Sequence, residues 1–152
     1  MKLAEALLLR ADLQKKVISL KKRIGENAKV QEGDMPSENP VELLSLIDVT
    51  ISELYVLIEK IHMTNAITIL PNGKKMMTVL TQRDELAERH RIIQHVIDSA
   101  RTESERYSHR EIKWQKTVDV SALQKQADDI AGQLRQINTE LQATNWQVDL
   151  IA

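Results

Sequence analysis

Four ionisable side chains sit on or beside stripes that are otherwise apolar, and chemistry would have to start with them: Arg10, Arg83, His90 and Asp128. Two guanidinium groups turned into a helical core can hold a small anionic ligand, and an imidazole, which titrates near neutrality, can carry a proton beside it. The same residues have a structural reading, and the cost of burial favours it. An Arg on a helix seam must find a carboxylate, because leaving one member of a buried ion pair alone costs about 3–5 kcal/mol. Pairs of this kind, with Asn27 and Asn65 on similar stripes, fix helix register and subunit orientation.

A second group mixes cations with aromatics: Tyr107, Arg110, Lys113 and Trp114, flanked by Arg106, His109 and Lys116. It reads as a surface contact site, since aromatic faces and cations together suit stacking and charge recognition. The cluster Lys15, Lys16, Lys21, Lys22 and Arg23 reads as a solvated helix face, because core aliphatics interleave with it and aromatics are missing. Glu59 and His62 form one Glu-x-x-His, but a dimetal site of a helical bundle needs a second such motif and two further glutamates. No metal and no cofactor is expected. Gly-rich phosphate loops, nucleophile elbows and His-Glu-x-x-His are absent, so the residues lean away from an enzyme.

Lys and Arg number 21 against 22 Asp and Glu, for a formal charge of -1, and that balance gives no strong nucleic-acid signal. There is no Cys, hence no thiolate chemistry and no disulfide framework. No apolar run approaches the ~20 residues of a membrane span, and no signal peptide is visible near the first residues. The expected location is cytoplasmic. Phe is absent and aromatics make up 3%, so the core must be built from Leu, Ile, Val and Ala, as in helical bundles.

What must position these groups is a mainly α domain: four long amphipathic helices in a bundle, at about 2–28, 40–65, 78–106 and 120–148 in one 152-residue unit. A strict 3,4 spacing carries each. The first runs Leu3, Ala6, Arg10, Leu13, Val17, Leu20, Ile24, Asn27; the second Leu44, Ile47, Ile51, Leu54, Ile58, Ile61, Asn65. The third runs Val79, Arg83, Leu86, His90, Ile93, Ile97, Ala100, Ser104, Tyr107, and the fourth Leu123, Ala127, Ile130, Leu134, Ile137, Leu141 with Asn145 and Val148. Asn39 before Pro40 is a helix start. Asp119 or Ser121 caps the fourth helix, Ser121 with Gln124 in a capping box. A β annex is expected as a short hairpin at about 67–76 around Asn72-Gly73 and one extended strand at about 111–118. These pieces would pair between subunits of a homo-oligomer, or the strand would serve as a long crossover.

Several stretches together resemble a family of small, uncharacterised bacterial proteins, some of them labelled septicolysin. They are Met1 to Leu7, Arg10 to Gln14, Val30 to Gly33, Thr64 to Ala66, Arg83-Asp84, Glu111 to Lys113, Thr117 to Val120, Leu123 to Asp128 and Asn145-Trp146. That resemblance implies a pore-forming lysin and hence membrane contact, and it supplies no site residues. The residues oppose lysis. A membrane hairpin needs about 9–11 residues per strand, which Pro71 interrupts, and charges are scattered along every helix. The expectation is a non-enzymatic structural or interaction protein that assembles as a homo-oligomer.

Overall fold

The computed structural model describes residues 1–101 and 113–152. Four helices carry it: α1 (Leu3–Asn27), α2 (Pro40–Ile67), α3 (Met76–Arg101) and α4 (Val120–Gln147). The Asn39 side chain accepts from the N–H groups of Val41 (2.9 Å) and Glu42 (3.4 Å), with Pro40 at the first helical position where no N–H is missed. Asp119 caps α4 by accepting from Ala122 N at 3.1 Å. The Ser121–Gln124 box is not what starts that helix.

Antiparallel pairs organise these helices. α1 lies along α2 and α3 along α4, whereas the two hairpins touch each other over a much shorter stretch, α1 meeting α4 and α2 meeting α3. The meeting point is the core. Leu3, Ala6 and Leu13 of α1, Leu54, Leu57 and Ile61 of α2, Leu70, Met76 and Val79, and Leu141 of α4 form one buried cluster. All four helices contribute to it, each from the end nearest the junction. The expected bundle is therefore realised as two hairpins joined at one end.

The spacing of α1, α3 and α4 gives the correct inward face: all described seam residues of these helices are buried or half-buried. In α2 the face is rotated. Leu44 and Ile51 are exposed, and the buried line is instead Leu43, Thr50, Leu54, Leu57, Ile61 and Thr64. Threonine can take core positions because its hydroxyl donates back to the carbonyl four residues earlier, Thr50 to Leu46 at 2.8 Å and Thr64 to Lys60 at 2.7 Å. Thr64 Oγ1 also accepts from Ile151 N at 3.1 Å, tying the chain's end to α2.

The expected β annex is not formed as strands. Around Asn72-Gly73 there is one isolated antiparallel bridge, Ile69 to Lys75. The turn is closed by Leu70 N to Lys74 O (2.8 Å) and Gly73 N to Leu70 O (2.9 Å). α3 starts at Met76 and α2 runs on to Ile67, leaving too few residues for a ladder. Residues 113–118 are exposed and carry no strand; 111–112 and the expected helical positions 102–106 lie outside the described residues. A second isolated bridge, Lys2 to Asp149, joins the two ends of the chain, with Leu3 N donating to Val148 O and Leu150 N to Met1 O, both 2.9 Å.

Gly73 holds φ +82 with open space where a Cβ would go. Only backbone conformation resists a side chain there. Gly73→Ala is expected to lower stability by about 1–2 kcal/mol, read as a shift of the urea midpoint; an unchanged midpoint would show that the turn relaxes freely.

Candidate functional site

The outer surface of α2 is the least expected feature of the molecule. An apolar arc of a helix is normally covered, yet Leu44, Leu46, Val49, Ile51, Tyr55, Val56, Met63 and Ile67 are all exposed, Val49 at 66% and Ile67 at 70%. These residues lie on both sides of the line that faces α1. One flank carries Leu44, Ile51 and Tyr55 with half-buried Ile58, and the other carries Leu46, Val49, Val56, Met63 and Ile67.

A concave site lies at the junction of the hairpins. Ala4, Leu7 and Leu8 of α1 form an apolar wall opposite Asn138, Leu141, Gln142, Asn145 and Trp146 of α4, and Arg83 enters from α3, around a cavity of about 370 Å³. That is near the lower bound of small-molecule sites. The amides of Asn138, Gln142 and Asn145 fall at spacings of four and three on α4 and so share a face. Their side chains have no hydrogen-bond partner among the described residues.

Of the four residues singled out from the sequence, Arg83 alone lines this groove, and it is held by Asp84 through Nε (3.1 Å) and Nη2 (3.0 Å). Arg10 lies half-buried on the α1 seam with its Nε buried and without a partner. His90 is half-buried on α3, seven residues and hence ~10 Å beyond Arg83. Asp128 is exposed on α4, accepting from Gln124 at 3.0 Å, ~15 Å along the helix from Asn138. Of the second group, Lys113 and Trp114 are exposed, Trp114 at 84%; Tyr107 and Arg110 lie outside the described residues. Glu59 and His62 are both exposed on α2.

The amides and Trp146 were not singled out by the sequence reading as site residues. Their signal was available as a polar row at helical spacing beside the α4 seam. What hid it was that only the junction brings α1 and Arg83 to the same place.

Two charge pairs clamp the ends of the α1/α2 hairpin and the junction. Arg23 grips Glu38 through two contacts, Nε to Oε2 at 2.9 Å and Nη2 to Oε1, while Asn27 Oδ1 accepts from Glu38 N at 3.0 Å. Lys2 Nζ contacts Asp149 at 2.8 Å and donates to Gln147 O at 3.1 Å. The Arg23 guanidinium holds the Glu38 carboxyl below the usual carboxylate range, and Lys2 does the same for Asp149. A depressed folded-state value means that the ionised form adds stability above the ordinary value, ~4.3 for Glu and ~3.9 for Asp. That contribution is lost as pH falls through the lowered values. The urea midpoint is expected to hold between pH 7 and 5 and to fall below about pH 4, with a shallower fall in Glu38→Gln. An identical acid slope in that variant would remove the pair from the account.

Among the described residues no group of three or more His, Asp or Glu side chains is placed to hold a metal ion, and no helix is long and apolar enough to cross a membrane. The model of a family of unknown function, DUF6847, matches residues 10–150. Curated proteins give no match. The crystal structure of a functionally unknown conserved protein from Corynebacterium diphtheriae is 34% identical over 99% of each chain, with a TM-score of 0.85.

Proposed function

The chain belongs to the DUF6847 family of unknown function, and from that premise we propose that it is a non-enzymatic structural or interaction protein that works as a homo-oligomer. One observation carries this reading: α2 exposes nine large apolar residues, Val41 among them. Each apolar side chain moved out of water contributes about 1.5–3 kcal/mol when fully covered. Clustered exposure of this kind marks a surface that meets another surface. The helices of one chain pair two by two, and a further helix layer from another copy would complete the four-helix packing that the sequence pattern implies. Light scattering across a range of concentrations tests this directly. A mass above 17.4 kDa that falls on dilution is expected; a strictly monomeric mass at high concentration would overturn the reading.

A second reading is favoured by the junction groove, where Arg83 and three unpartnered amides face an apolar wall. It would suit a small anion with an apolar body. In a Trp114→Phe background Trp146 is the remaining indole, so octanoate should change its emission saturably. A linear response, or none, rejects this reading. The lytic activity implied by the septicolysin resemblance is tested by dye release from liposomes, and at micromolar protein none is expected.

A further inference from the structure

One exposed flank of α2 carries a second line of residues at heptad spacing. Leu46, Val49, Glu53, Val56, Lys60, Met63 and Ile67 follow each other at spacings of three and four without a break. Lys60 is half-buried and the other six are exposed. At about 100° per residue, this line lies roughly a quarter turn from the one that packs on α1. Five of the seven positions of this 3,4 spacing from Leu46 to Ile67 are apolar and two are charged, the pattern of a helix seam whose polar positions set register and orientation. No other described helix of the single chain covers it.

We propose that this seam pairs with the same seam of a second copy, antiparallel about a two-fold axis through Val56. The inference rests on the homo-oligomer reading and deepens it by naming the surface. Reversing the seam maps it onto itself to within one residue. Leu46 falls opposite Ile67 of the second copy, Val49 opposite Met63, and Val56 opposite itself. The two charged positions then meet as opposites: Glu53 of each chain lies across from Lys60 of the other, one pair on either side of Val56. Both side chains are without a hydrogen-bond or ion-pair partner among the described residues, so no described polar contact has to be given up.

The same charges select the orientation. A parallel pairing sets Glu53 against Glu53 and Lys60 against Lys60, two like-charge contacts in the middle of the seam. The antiparallel pairing turns both into attractions and is isologous, as a closed two-fold dimer requires. A different protein could cover the apolar positions, but nothing in its chemistry would explain why the sequence of charges is complementary to its own reverse.

Because the chain has no Cys, one introduced thiol reports the register without ambiguity. Val56→Cys is expected to form a disulfide-linked dimer under mild oxidation. Val49→Cys is not, since the two copies of that position stand ~21 Å apart along the axis, while Val49→Cys mixed with Met63→Cys should cross-link. In parallel, Glu53→Lys and Lys60→Glu should each weaken self-association about tenfold or more, and the double reversal should restore it. Oligomers that cross-link equally from either position, or ignore both reversals, overturn this interface and leave the homo-oligomer reading standing. Wild-type protein that is monomeric throughout overturns both. Loss of association that appears only on adding lipid vesicles would assign the seam to a membrane surface and overturn the pairing.

Discussion

Ile61→Ala is expected to lower the stability of the fold by about 2–5 kcal/mol, a large share of the 5–15 kcal/mol typical of a whole domain. Ile61 is fully buried, at 0% exposure, in the cluster that joins the hairpins. Removing it deletes apolar burial and leaves a cavity. The cluster that holds Ile61 also takes in Leu3, Ala6, Leu70 and Met76, which come from different helices and a tight turn, so no single element can settle inward to fill the space. Because each hairpin has its own helix pairing, truncation at the junction should also reduce the cooperativity between hairpins, visible as a broadened transition. Ile18→Ala, at a position 68% exposed, is the control and should stay within about 0.5 kcal/mol. Both are compared at one protein concentration, since self-association adds a concentration-dependent term. A loss under 1 kcal/mol at Ile61 would mean that the junction is softer than its burial implies.

Val56→Glu carries the second large effect, this time on assembly. Val56 is 56% exposed in the single chain, and Glu is a better helix former than Val, so the fold itself should be unharmed. At the two-fold axis, however, the substitution brings two carboxylates together and asks both to leave water. Central, desolvated positions carry most of an interface's energy. Dissociation is expected to rise about a hundredfold or more, measured by sedimentation, with the helical circular dichroism unchanged. An association constant equal to wild type would place the contact elsewhere, and loss of helix would mean that Val56 supports the fold.

The elements of this protein were legible in its sequence because they are set by local rules. Asn39-Pro40 and Asp119 start α2 and α4 through side-chain caps and a fixed φ, and the 3,4 stripes of α1, α3 and α4 identify their inward faces, with Arg10 on one of them as expected. α2 was less legible. Its apolar residues spread over a wide arc on both sides of the buried line, opposite Ser45, Asp48, Ser52 and Glu59, so periodicity alone could not say which part of that arc meets α1, and the burial of Thr50 and Thr64 depends on hydroxyls that are satisfied within the helix. The short apolar run before Asn72-Gly73 suggested a hairpin, but the helices on either side claim its residues.

Four amphipathic helices, their order, the lack of thiol chemistry and the self-complementary line from Leu46 to Ile67 follow from the residues themselves, since each depends on neighbours within a few turns. Tertiary structure decided that the helices pair two by two and meet at one end, that Arg83 enters a groove between α1 and α4 while Asp128 stays outside it, and that the other described helices leave a face of α2 uncovered. Those outcomes depend on which helix ends converge, and long-range contacts between such ends leave no mark in local spacing.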